Sequence, residues 1–315
     1  MSRLKVWLLA SRPATLTAVV SPLLVGGALA LRESNANGWA WLAAFLGALF
    51  IQLGTNYAND VFDFEKGADT VERVGPVRAV QAGLVTPRQM RVAMILAFAL
   101  ATLCGTYLVW LRGWPLVWIG VASILSGVAY TGGPFPLGYN GLGDVFVMLF
   151  FGFVATMGTY FVMTGVIEPA SAMWSVPTGA TCTAILVVNN LRDMDTDVKV
   201  GKRTLAVRFG AKFVRIEYTL LLFGAVLWPL VMLLGLLGIL GVASLLAHKI
   251  LWPGMPPWPR FLPLLLLPWA LKLTRTLWST RDPAVLNPLL GATARLHLFY
   301  GILAAGGIVL ARMVA

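Results

Sequence analysis

The sequence predicts an all-α, polytopic membrane protein, and three observations carry that expectation. Of the 315 residues, 58% are apolar and only 12% charged, too little polar surface to cover a soluble globule. Apolar runs close to the roughly 20 residues that cross about 30 Å of hydrocarbon as a helix recur along the whole length. The basic residues behind the net charge of +11 sit in short loops between those runs, which points to membrane topology and away from a nucleic-acid surface. A single membrane-embedded domain over residues 1–315 is the expected organisation.

The opening stretch has the basic start and apolar body of a secretory leader, but it is too long for one and carries Pro13 and Pro22, so a retained first helix is expected. Apolar segments then run over 14–31, 39–58, 90–111, 114–130, 143–165, 172–190, 214–236, 260–279 and 292–313, predicting nine transmembrane helices around a central cavity. The stretch 237–251 is also apolar and ends near His248 and Lys249; it either prolongs the seventh helix or forms a short extra segment. Under nine crossings, 19 of the 24 Lys and Arg residues fall on the amino-terminal side, leaving Arg32, Arg112, Lys249, Arg260 and Arg312 opposite. Positive-inside bias therefore puts the amino terminus, and the loops after the even-numbered helices, in the cytoplasm of a cell whose inner membrane holds the chain.

Two of those cytoplasmic connections, 59–89 and 191–213, are long and charged, and function is expected there. The first opens with NYANDVFDFEKGAD, residues 56–69, where Asn56, Asn59, Asp60 and Asp63 recur every three or four residues and share one helical face. The second opens with NNLRDMDTDVKVGKRTL, residues 189–205, where Asp193 and Asp197 are one turn apart. Asp63 and Asp193 are 130 residues apart, and both clusters close even-numbered helices, which hints at a duplicated half. Carboxylates at the inner ends of spanning helices are costly unless they pair, meet water or bind cations. Two facing clusters repel without a metal, and magnesium, a hard ion that combines carboxylates with phosphate oxygens and waters, meets the need. Lys66, Arg78, Lys202 and Arg203 then lie close enough in sequence to neutralise a diphosphate.

The loop YTGGPFPLGYNGLGD adds Tyr130 and Tyr139 among glycines and prolines. Tyr130 is the candidate for stabilising a carbocation through its ring, and the aromatics of the fifth helix (Phe146, Phe150, Phe151, Phe153, Tyr160, Phe161) pack or meet lipid, or line an apolar tunnel. Cys104 and Cys182 fall in apolar segments without ligand or redox spacing, and His248 and His297 lie outside both clusters, so none is assigned chemistry. No Ser/His/Asp arrangement and no P-loop sequence occurs.

At its two clusters the sequence resembles the UbiA superfamily of intramembrane prenyltransferases, and the resemblance extends over nearly the whole chain. It implies that Asn59, Asp60 and Asp63, with Asp193 and Asp197, hold Mg2+ and through it a prenyl diphosphate. A common family form has a further Asp four residues after the Asp63 position; here that place is Gly67, with Asp69 two residues on. The segments SRPATLTAVVSPLLVG, RVGPVRAVQAGLVTP, NNLRDMDTDVKVGKRTLAVRFG and LNPLLGATARLHLFYG are similar to the 1,4-dihydroxy-2-naphthoate prenyltransferase branch. That branch implies transfer of a polyprenyl group to 1,4-dihydroxy-2-naphthoate with loss of diphosphate and CO2, a step of menaquinone or phylloquinone synthesis. On the same ground, Arg12 and Asn287 are candidates for holding the acceptor acid. Prenylation of another aromatic, such as homogentisate or 4-hydroxybenzoate, is the alternative within the superfamily. An ion-coupled transporter is the alternative outside it, and it predicts acidic residues near the bilayer midplane instead of helix ends.

Overall fold

The computed structural model describes residues 2–69, 74–236 and 258–314, and among them every regular element is helical. A short α1 (Arg3–Ser11) turns at Arg12 into α2 (Pro13–Ala30). There follow α3 (Gly38–Glu65), α4 (Pro87–Arg112), α5 (Pro115–Ala129) and α6 (Gly143–Thr164), the last containing a π-helical stretch over Met148–Val154. Then come α7 (Pro169–Lys199), α8 (Leu205–Val226) and α9 (Trp228–Leu236). The chain ends with a 3-10 turn over Trp258–Leu266, α10 (Leu267–Ser279) and α11 (Pro283–Met313). Prolines at the first positions of α2, α4, α5, α7 and α11 start those helices where an amide has no partner to lose.

The chain is a multi-pass membrane protein. Six helices are long and apolar enough to span, namely α2, α3, α4, α6, α7 and α11, and α8 with α9, bent by 64°, is apolar and long enough only as a pair, as a broken span or a re-entrant loop. All nine expected segments fall on helical structure, but the count of nine crossings is not borne out among the described residues. The 15 residues of α5 reach only about 22 Å, short of the hydrocarbon thickness, and the eighth segment opens as a 3-10 turn before α10. The segment 237–251, with His248 and Lys249, lies outside the described residues, as does Arg73.

Helices α2 and α11, first and last of the spans, pack along one another and close the bundle, while α7 sits against α2, α6, α8 and α11. Accordingly 78% of the apolar window of α7 is buried, against 17% for α3 and 22% for α4, which turn their apolar faces to lipid. The main core joins α2, α6, α7, α8, α10 and α11 through such residues as Leu29, Tyr160, Leu191, Tyr218 and Leu296. A separate small core of Val6, Ala10, Tyr57, Val61, Val80, Val85 and Met90 ties α1 and the loop before α4 onto the carboxyl end of α3. Buried His297 contacts the Thr181 hydroxyl at 2.8 Å and the Ala18 carbonyl at 3.2 Å, so it serves packing between α11, α7 and α2. Cys104 and Cys182 are both free thiols.

Candidate active site

Both carboxylate clusters occupy the last turns of their helices, Asn59 to Asp63 on α3 and Asp193 to Asp197 on α7. From the start of α3 to Asp60, and of α7 to Asp193, the axial rise is about 33–36 Å, one hydrocarbon thickness. The two sets therefore stand at matched depth at one membrane face. That end of a helix carries the negative pole of its dipole, so buried aspartates there need cations.

The structure supplies them. Asp63, 1% exposed, receives the Arg78 guanidinium at 2.9 Å, and the Lys202 ammonium lies 3.4 Å away. Arg78, itself buried, also reaches Asp69 at 3.4 Å. The backbone explains how Asp69 gets there: Gly67, with φ of 68°, reverses the chain just past α3 and returns it toward Arg78. Asp193 is gripped by Arg192, Nε to Oδ1 at 2.8 Å and Nη2 to Oδ2 at 2.7 Å, a bidentate pair. The same guanidinium donates to Asn189 at 2.9 Å and to Asn287 at 3.0 Å. Asp195 is outside this network, pairing with Arg281 at the exposed surface.

The face shared by the first cluster divides its work. Asn56 donates to the Ser11 carbonyl at 2.9 Å and to the Thr15 hydroxyl at 3.0 Å, holding the α1–α2 corner. Arg12 forms that corner and is the one non-glycine residue with a positive φ, 51°, among the described residues. Asn59 accepts from the Thr131 hydroxyl at 2.9 Å. Both Asp60 oxygens take backbone amides, Ala79 and Val80, at 3.1 Å each, which fixes the chain that carries Arg78.

The loop between α5 and α6 lies across both clusters. Lys66 donates to the carbonyls of Thr131 at 2.7 Å and Gly133 at 3.1 Å, and burial with nearby Lys202 lowers its pKa against the opposing pull of Asp63. Tyr139 donates its phenol to Asp63 at 2.8 Å; burial, then the Asp63 carboxylate, raises its pKa, so the phenol stays protonated at neutral pH. The Arg203 amide donates to the Tyr139 carbonyl at 2.8 Å, while its side chain is exposed. Tyr130 is clasped by glycines: a Cβ at Gly143 would lie 2.8 Å from its hydroxyl and one at Gly138 2.9 Å from its ring. Its phenol lies within electrostatic reach of Asp63 and Asp197 together.

The expected Asp63, Lys66, Arg78, Asp197, Lys202 and Tyr130 are thus gathered around one loop, and Asp193 stands one turn before Asp197 in the grip of Arg192. Arg203 contributes its backbone there, and Asn287 both accepts from Arg192 and donates to the Val74 carbonyl at 3.0 Å. Sequence reasoning missed Arg192, Asn189 and the position of Tyr139. The pairing of Arg192 with its immediate neighbour is invisible to a search for helix faces, which looks three or four residues apart. Among the described residues no three His, Cys, Asp or Glu side chains form a ready-made metal cage.

A model of the UbiA prenyltransferase family matches residues 19–291. The chain belongs to that family. Its similarity to individual members runs the full length: 34% identity to the 1,4-dihydroxy-2-naphthoate octaprenyltransferase of Mycobacterium tuberculosis, covering 96% of each chain. Identity is 32% to the Escherichia coli protein of the same name, covering 100% of this chain and 98% of that one. Among solved structures, the apo UbiA homolog from Aeropyrum pernix K1 aligns with a TM-score of 0.64 at 12% identity, covering 94% of this chain and 97% of that one. A UbiA homolog from Archaeoglobus fulgidus bound to DMAPP and Mg2+ aligns at 0.59 and 14% identity, covering 96% and 99%. At such identities the likeness is one of fold. This UbiA family member keeps the aspartates of its two clusters in the terminal turns of α3 and α7, whereas a carrier would place its coupling carboxylates at the midplane.

Proposed function

We propose that this protein transfers a polyprenyl group from its diphosphate to 1,4-dihydroxy-2-naphthoate, releasing diphosphate and CO2, with the site at the cytoplasmic face of the inner membrane. Full-length similarity to proteins named for that reaction supports the acceptor, and the gathering of two aspartate clusters with Arg78, Arg192, Lys66 and Lys202 supports the diphosphate donor.

The donor set fits magnesium, which is commonly held by one or two carboxylates with substrate phosphates and waters and not by an all-protein cage. Asp63, Asp193 and Asp197, with Asn59 and Asp60 as the family motif implies, would hold it, and when bound it supplies positive charge to the departing diphosphate. The protein's own part is to add the lysine and arginine charges where negative charge builds up on the leaving group. As the allylic carbon–oxygen bond breaks, its electron pair leaves on diphosphate. Tyr130, fixed by Gly138 and Gly143, presents its ring to the resulting cation. The ring carbon that bears the carboxylate, made electron-rich by the neighbouring hydroxyl, bonds to that cation. The bond to the carboxylate then breaks and returns its electron pair to the ring. The surrounding membrane domain keeps water from quenching the cation first. Arg12, at the corner pinned by Asn56, is the candidate for meeting the acceptor carboxylate, and Asn287 steadies Arg192.

The test is purified protein in nanodiscs with Mg2+, a prenyl diphosphate and three acceptors offered side by side. Prenylated naphthoquinol is the expected product. Preference for homogentisate or 4-hydroxybenzoate overturns the acceptor, and undiminished turnover after chelation, or in Asp63→Ala or Asp193→Ala, overturns the metal.

A further inference from the structure

Tyr139 touches both halves of the site at once. Its phenol donates to Asp63 at the end of α3. Its ring lies 5.2 Å from the Lys66 ammonium, just past α3, and 4.6 Å from the Lys202 ammonium, just past α7. Its carbonyl accepts the Arg203 amide from the same segment as Lys202. Two like-charged ammonium groups repel one another, and both lie against the single Tyr139 ring, with the Asp63 carboxylate 3.4 Å from Lys202. An aromatic face attracts cations within about 6 Å of its centroid, and each such contact contributes modestly at exposed sites and more where water is excluded. Lys66 spends two of its three protons on the Thr131 and Gly133 carbonyls, which leaves one for a ligand.

We propose that Tyr139 is the positioning residue that couples the two halves of the diphosphate site: its ring sets the separation of Lys66 and Lys202, and its phenol orients Asp63. The inference rests on the diphosphate reading above and assigns the two parts of the side chain separate tasks. A phenol hydrogen-bonded to a carboxylate ligand acts on the metal, whereas the ring acts on the anion held by the lysines. Tyr139→Phe removes the first and keeps the second. Tyr139→Leu removes both.

The experiment measures binding of geranyl thiolodiphosphate, a non-hydrolysable analogue, to the full chain in nanodiscs, with the magnesium concentration giving half-maximal binding and the melting temperature read on the same samples. For Tyr139→Phe the half-saturating magnesium rises about tenfold, as expected for loss of a group that orients a ligand. Its analogue Kd at saturating magnesium stays within about twofold, because the ring remains. For Tyr139→Leu the Kd at saturating magnesium also rises, by about tenfold, as two cation–ring contacts are lost. A merely structural tyrosine would shift both quantities together in both variants. Equal effects of Phe and Leu, or wild-type behaviour in both, overturn the coupling role. If Tyr139→Leu fails to fold, the Phe variant decides alone: a rise in half-saturating magnesium without a change in Kd upholds the role, and no change sinks it. Failure of the wild-type protein to bind the analogue would count against the diphosphate site itself, a separate outcome.

Discussion

Arg192 carries more of the second cluster than its place in the sequence suggests. An aspartate in the last turns of a helix faces the negative end of the dipole, and Asp193 is buried there as well. The bidentate Arg192 pair compensates both costs, and Asn189 and Asn287 fix the guanidinium in turn. A side chain that orients a metal-binding carboxylate typically affects metal affinity by about 10–100-fold. Arg192→Ala should therefore raise the magnesium needed for half-maximal turnover by about that factor. Arg281→Ala, which breaks only the exposed pair with Asp195, should leave it unchanged, since surface pairs contribute about 0–1 kcal/mol. A magnesium titration of the two variants checks both.

At the scale of elements, the site is assembled by short connections that lean on helix ends. The loop before α4 is fastened by Asp60 through the Ala79 and Val80 amides and by Val80 and Val85 in the small core, which brings Arg78 to Asp63. Asp60→Ala leaves two buried amides without partners, costing about 1–3 kcal/mol for such a group. The expected result is a lower melting temperature with faster hydrogen exchange confined to residues 78–85, while α7 keeps its protection. Loss of protection spread evenly over α7 as well would show that Asp60 does not act through this loop. The α5–α6 loop is fastened differently, by Lys66 to its carbonyls and by Asn59 to Thr131, so it should be unaffected by that change.

For the molecule as a whole, orientation in the bilayer follows from two opposed signals. Trp39 at the start of α3, Trp110 at the end of α4 and Trp114 before α5 are 74%, 79% and 73% exposed and share the end away from the carboxylates. Exposed tryptophans at one level mark a membrane–water interface. The carboxylate end carries most of the basic residues and should face the cytoplasm. Asp195→Cys, at an exposed position, should react with an impermeant maleimide in inverted vesicles and stay unlabelled in right-side-out ones. The reverse pattern would invert the topology. Wild-type protein, with only Cys104 and buried Cys182, provides the background.

The sequence by itself determined that the chain is helical, that it lives in a bilayer, and that aspartate clusters close α3 and α7. Those properties are local or periodic: the length of apolar runs, the side on which charges fall, and carboxylates one turn apart. It also carried the family, because the motifs are continuous. Tertiary structure alone decided the division of labour within a single helix face. Asn56 holds the α1–α2 corner, Asp60 the loop before α4, and Asp63 the shared centre. It also decided that α5 is too short to count by length as a crossing and that Arg192 and Tyr139 bond to Asp193 and Asp63. Each of those depends on a partner distant in sequence or on a long side chain folding back on its neighbour, and periodicity encodes neither.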